Sequence, residues 1–255
     1  MTISAKAWAN YVNALSKVNK DATDKLATFL KNGFDYNSPE DMRKLVSYAY
    51  GISTKYGEAA AELACQMYDA VGLASGLILD PAIPAEVATY EEVAKTIYGT
   101  AKTSHNIEEM SSAVGRLVKR TGQDTTLQNA LRDGAQFAWI PSGDTCAFCI
   151  MLASNGWQYA SKDAIKGGHA EHIHSNCDCA YSIRFDTKTQ VKGYDPEKYL
   201  DQYQSAEGNT SEEKLNSMRR KYYAENRETI LAQKASAYEK RMELNSSAAE
   251  ETKVD

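Results

Sequence analysis

The sequence predicts a mainly α-helical protein, built of long helices with a small zinc-stapled α+β module near its C-terminal half. Three observations carry that prediction. Apolar residues recur at three-four spacing through most of the first 140 residues, the mark of helices that bury one stripe. Near Trp139 the periodicity stops, and glycine becomes frequent at 143, 156, 167 and 168. Around that break fall four of the five cysteines, at 146, 149, 177 and 179.

The first stripe runs through Trp8, Tyr11, Val12, Leu15, Val18, Leu26, Phe29 and Leu30, with Gly33 as its expected stop. Ser38-Pro39-Glu40-Asp41 then opens a second helix, as a capping serine, a proline at the first helical position and acids beside the positive end of the helix dipole. Its inward residues are expected to be Met42, Leu45, Val46, Ala49, Ile52, Tyr56, Leu63, Ala64, Met67 and Val71, with Gly51 and Gly57 tolerated at a cost in helix propensity. Leu79 to Pro84 reads as a loop, and further helices are expected over Tyr90–Thr100, Ile107–Arg120 and Thr125–Ala138. Beyond Trp139 two short strands are expected, Trp157–Ala160 and Ala180–Phe185. A long helical segment opens at Ser211 and runs to about Leu244. The chain divides on this reading into a helical domain (1–140), a zinc-knuckle α+β module (141–193), a C-terminal helical segment (194–244) and a polar, disordered tail (245–255). No repeat of solenoid length is apparent.

Composition narrows the function classes. The 255 residues carry 43% hydrophobic and 25% charged side chains, ordinary for a globular protein, and a net charge of −5 gives no global drive onto nucleic acid or anionic membrane. No apolar run is long enough to span a bilayer, and Met1 to Lys6 lacks the apolar core of a secretory signal, so the cytosol in which the chain is made is the expected compartment. In a reducing compartment clustered cysteines point to a metal rather than to disulfides. Cys65 stands apart in an apolar helical pattern and reads as a small core residue.

Cys146-Ala147-Phe148-Cys149 places two thiols where both can reach one ion from a single turn, and His174-Ser175-Asn176-Cys177-Asp178-Cys179 follows 25 residues later. Zinc takes four nitrogen or sulfur ligands in a tetrahedron, and here five candidates compete for four places. One of Cys177 or Cys179 is therefore expected beside the metal rather than on it. The stretch from Gly143 to Cys179 is too poor in apolar residues to close a core, so a bound ion would offset the entropy of ordering it. A thioredoxin-like redox role lacks the surrounding βαβ pattern. The nearby His169-Ala170-Glu171-His172 invites comparison with a zinc-stapled HNH-like nuclease. That pattern wants a further His or Asn downstream in a strand-helix context, and a polar loop beside a metal ligand is the favoured reading.

At these residues the chain resembles the minor head proteins of tailed phages, the phage Mu F-like head morphogenesis family. The family pairs a Cys-x-x-Cys segment preceded by Asp with a later His-Pro-Asn-Cys-Arg-Cys. Here Asp144 to Cys149 supplies the first half and His174 to Cys179 the second, with Ser175 and Asp178 in place of the usual Pro and Arg. Trp157-Gln158-Tyr159 fits the segment between them. The resemblance implies a structural virion component, not an enzyme, that associates with the portal protein and with capsid or scaffold proteins during head assembly and DNA packaging. It also implies residence in the virion.

The segment Arg219–Arg241 holds seven basic and three acidic residues with Tyr222, Tyr223 and Tyr238 interleaved, a local balance of +4. Arg219, Arg220, Lys221 and Arg227 are candidate contacts for DNA phosphates, bound without sequence preference, or for a protein partner. A solvated helix that packs Ile230, Leu231 and Tyr238 on a partner is the favoured expectation.

Overall fold

A computed structural model describes residues 2–31, 34–143, 145–163, 177–236 and 238–239. Four helices make the body: α1 (Ala5–Lys31), α2 (Pro39–Ala74), α3 (Tyr90–Thr103) and α4 (Ile107–Arg132). Each opens on a side chain that satisfies an orphan backbone N–H. Ser38 accepts from the Asp41 N–H at 3.2 Å, with Pro39 at the first helical position. Thr89 and Glu92 form a reciprocal capping box on α3. The Asn106 side chain accepts from the Glu108 N–H at 2.7 Å on α4.

The predicted α2 stripe is buried at Met42, Leu45, Val46, Ala49, Ile52, Tyr56, Ala64 and Val71, whereas Leu63 and Met67 are half-buried. Cys65 is buried in the same helix, as expected. One core cluster joins the helices through Leu26, Leu45, Val93, Ile97, Met110 and Val114.

Two expectations for the end of the body need correction. The separate helices over Ile107–Arg120 and Thr125–Ala138 are one helix, α4. Gly122 does not break it. That glycine lets α2 approach, since a Cβ there would lie 3.2 Å from the Ala60 carbonyl oxygen. The helix stops at Arg132 instead, because Gly134 takes φ +65° and the Ala135 N–H turns back to the Ala130 carbonyl at 2.9 Å. The chain then enters a strand the sequence reading missed, β2 (Gln136–Ile140).

After β2 come α5 (Ala147–Ser154), β3 (Gln158–Tyr159), β4 (Ala180–Arg184), β5 (Gln190–Val191), α6 (Pro196–Gln204) and α7 (Ser211–Glu225). Strands β3 and β4 thus match the two expected pieces, a little shortened. They flank β2 antiparallel, with Trp139 opposite Tyr181 and Ile140 opposite Ala180. A two-residue strand at the N-terminus, β1 (Thr2–Ile3), pairs parallel with β5. The second core cluster joins this sheet to the start of α1 and the end of α2, through Ile3, Trp8, Tyr68, Phe137, Trp139, Tyr181 and Leu152. The N-terminal residues therefore share a core with the sheet.

The long C-terminal helix is interrupted. α7 ends at Glu225 and is capped by Asn226, whose side chain donates to the Tyr222 carbonyl at 2.9 Å, and helical turns resume over 227–236. α7 has no buried residue, and Leu231 and Tyr238 are exposed. The expected tail, 245–255, lies outside the described residues. Among the described residues no helix is long and apolar enough to cross a membrane.

Candidate metal centre

The β2–β4 register builds the centre. Pairing Ile140 with Ala180 sets the turn after β2 beside the residues that precede β4. Cys146 lies at the end of that turn and caps α5, its sulfur 3.4 Å from the Cys149 N–H. Cys149 then falls in the first turn of α5 and is buried. Cys177 and Cys179 approach from the other side, one residue apart and both buried.

The sulfur atoms of Cys149, Cys177 and Cys179 lie within 4.8 Å of one another, with Cys149 and Cys177 at 3.3 Å. Sulfurs around a tetrahedral zinc at 2.3 Å stand about 3.8 Å apart, so the trio has the dimensions of such a shell. Contact with Cys146, Cys177 and Cys179, together with burial, pushes the Cys149 thiol far above the ordinary cysteine range. For Cys179 the contact with Cys149 pulls down, but Cys177 and burial push up harder, and the thiol ends raised. Thiols so crowded keep their protons unless a cation stands among them; a metal ion supplies that charge and takes the thiolates as ligands.

α4 and α1 frame the sulfurs. Lys119 donates from Nζ to the Cys177 carbonyl. Burial pulls the Lys119 ammonium below its ordinary range, against the opposing pull of Cys177, Asp178, Cys179 and Cys149. A protonated Lys119 there would partly balance the negative charge that thiolates bring to a metal. Gln123 grips the start of β4, donating to the Cys179 carbonyl at 3.4 Å and accepting from the Tyr181 N–H at 3.3 Å. Ser16 of α1 donates to Asp178 Oδ1 at 2.6 Å. The residue that departs from the expected arginine thus has its own partner in this chain. A cavity of about 20 Å³ is lined by Ser16, Lys119 and Gln123 together with Cys177, Asp178 and Cys179.

Of the predicted ligands, Cys149, Cys177 and Cys179 come together, and Cys146 touches Cys149 at the helix start. Both Cys177 and Cys179 belong to the cluster. His174, with His169, His172 and Asp144, lies outside the described residues. Arg219, Arg220, Lys221 and Arg227 are exposed at the C-terminal end, and the structure brings none of them to the thiols. Lys119, Gln123 and Ser16 were not anticipated. No local pattern marks them, because their roles arise only when α4 and α1 pack beside the cysteines.

A family model described as VG15 protein matches residues 2–206. The chain belongs to the VG15 protein family. It is thus a viral protein. The family match covers the helical body, the sheet and every cysteine, and it ends before α7 and the basic segment. No curated protein and no solved structure matches the chain.

Proposed function

We propose that this VG15-family protein is a structural minor capsid protein of a tailed phage, of the Mu F-like head morphogenesis kind. On this reading it docks on the portal and on capsid or scaffold proteins while the head assembles and DNA is packaged. The observation that carries the reading is the buried thiol cluster at the junction of sheet and helices in a viral-family chain. Buried sulfur ligands favour a closed structural zinc site, which fixes a shape rather than presenting an open position to a substrate. Cys149, Cys177 and Cys179 would hold the ion, with Cys146 or His174 completing the tetrahedron. The order of the cysteines along the chain, matched to the family signature, supports the head-protein assignment over other viral roles.

Mass spectrometry of procapsids and mature heads from the source phage tests it. The protein is expected in both or in one of them, at far fewer copies than the major capsid protein, with head yield falling when Cys149 is lost. Absence from both particles, with normal particle yield in a deletion, overturns the reading. Divalent-metal-dependent cleavage of plasmid DNA by the purified protein would replace it with the nuclease alternative.

A further inference from the structure

An open groove of about 640 Å³ runs between exposed faces of α1 and α2, on residues the thiol centre does not use. Lys25 and Phe29 line it from α1; Lys44, Tyr48, Gly51 and Lys55 line it from α2. The three lysines are exposed. Lys44 is held by Glu40 at 2.8 Å and Asp41 at 3.5 Å, and Lys55 leans over the Tyr56 ring at 5.7 Å. Among the described residues no ion pair engages Lys25 or Lys55. Phe29 and Tyr48 stack with ring centroids 4.4 Å apart and planes 17° from parallel, and Tyr48 remains 39% exposed. A stacked aromatic pair and two exposed lysines outside any ion pair among the described residues therefore line one groove.

Gly51 adds an independent observation. Glycine inside a helix costs about 1 kcal/mol relative to alanine. Gly57, Gly72, Gly115 and Gly122 each have a packing reason, since a Cβ would lie within 3.2 Å of a neighbouring element. Gly51 and Gly99 have none, with nothing within 4 Å, and Gly51 is the one that lines the groove. Its missing side chain leaves the floor open between Tyr48 and Lys55.

We propose that this groove binds single-stranded nucleic acid, with a base stacked on the Phe29–Tyr48 platform and phosphates on Lys25 and Lys55. A ring platform flanked by cations is the arrangement that recognises unpaired bases with little sequence preference. A duplex hides its base faces, and an acidic peptide offers the lysines charge but gives the rings no planar partner.

Fluorescence anisotropy of a labelled oligo-dT against the full chain, over a range of salt, tests the proposal. Binding is expected to weaken as salt rises. Lys25→Glu with Lys55→Glu should weaken it about tenfold or more, and Tyr48→Ala by a similar factor with the salt slope unchanged. Gly51→Leu should also weaken it by filling the floor, although leucine favours the helix, so this loss cannot come from unfolding. Three results overturn the proposal: no binding at low salt; binding unchanged by these substitutions, which places the contact elsewhere; or competition by duplex DNA or polyglutamate as strong as that by unlabelled single strand, which reduces the groove to bare charge.

Discussion

The helical body and the cysteine-bearing sheet solve the same packing problem with different materials. In the body, Leu26, Leu45, Val93, Ile97, Met110 and Val114 are entirely withdrawn from solvent, and each comes from a helix whose apolar stripe points there. Around the sheet, the buried set is aromatic and thiol-rich: Phe137, Trp139, Tyr181, Cys149, Cys177 and Cys179. The rings meet edge to face, with Trp139 and Tyr181 centroids 4.7 Å apart. The difference teaches where a metal matters. The body gains its free energy from area removed from water and has no need of an ion. The turn between β2 and α5 and the residues before β4 contribute short, irregular backbone, which three sulfurs on one cation would tie together.

The largest effect expected to separate the two regions is metal removal. Protein purified without added metal should contain about one zinc per chain. Stripping it should lower stability by about 4 kcal/mol when free zinc had stood a thousandfold above its dissociation constant. Cys149→Ser with Cys177→Ser should abolish zinc retention while helical circular dichroism persists. Elemental analysis and thermal melts with and without chelator measure both. Zinc retained by the double variant would break the comparison at its root.

Next in size is a cavity in the body. Leu45→Ala should cost about 3 kcal/mol, because a fully buried leucine leaves a void the long helices cannot close. Its zinc content should stay that of the parent. A fall in zinc content would show that the two cores act as one and would blur the distinction.

The smallest effect probes the seam where α4 meets β2. Asp133 bonds to Arg132 at 2.7 Å, and the single proton of the Tyr68 hydroxyl is shared between the Asp133 carboxylate at 2.9 Å and the Asn129 carbonyl at 2.8 Å. The Arg132 hydrogen bonds, with help from Tyr68, hold the Asp133 carboxyl below its ordinary range despite partial burial. A carboxyl depressed in the folded state stabilises above its unfolded pKa, and that contribution disappears as pH falls through the folded value. Asp133→Asn should therefore cost about 1–2 kcal/mol at pH 7 and less at a pH below the ordinary carboxylate range. Urea melts at the two pH values would sharpen the comparison; an equal cost at both would assign the effect to packing instead of charge.

Legibility followed the physics of each element. α2 could be read almost residue by residue, because Ser38-Pro39 announces its start and one stripe faces one core. β2 could not. Phe137, Ala138, Trp139 and Ile140 are all buried, so the strand lacks the alternation that marks a half-exposed one, and a helical pattern runs straight into it. The break at Asn226 escaped notice because both flanking segments favour helix and neither is held by a core. The cysteines were visible because ligand spacing is local chemistry. The groove was not, since its lysines and rings come from two helices that only packing sets side by side.

By itself the sequence determined the helical class, the caps, most of the buried stripe of α2 and the cysteines that gather, for these depend on periodicity, backbone hydrogen-bond supply and ligand type within a few residues. Tertiary structure alone decided that Ile140 pairs with Ala180, that Cys177 and Cys179 both meet Cys149, and that Lys119, Gln123 and Ser16 surround them. Those contacts join residues dozens to more than a hundred positions apart. No local pattern encodes them, because their partners are set by how apolar faces fill space together.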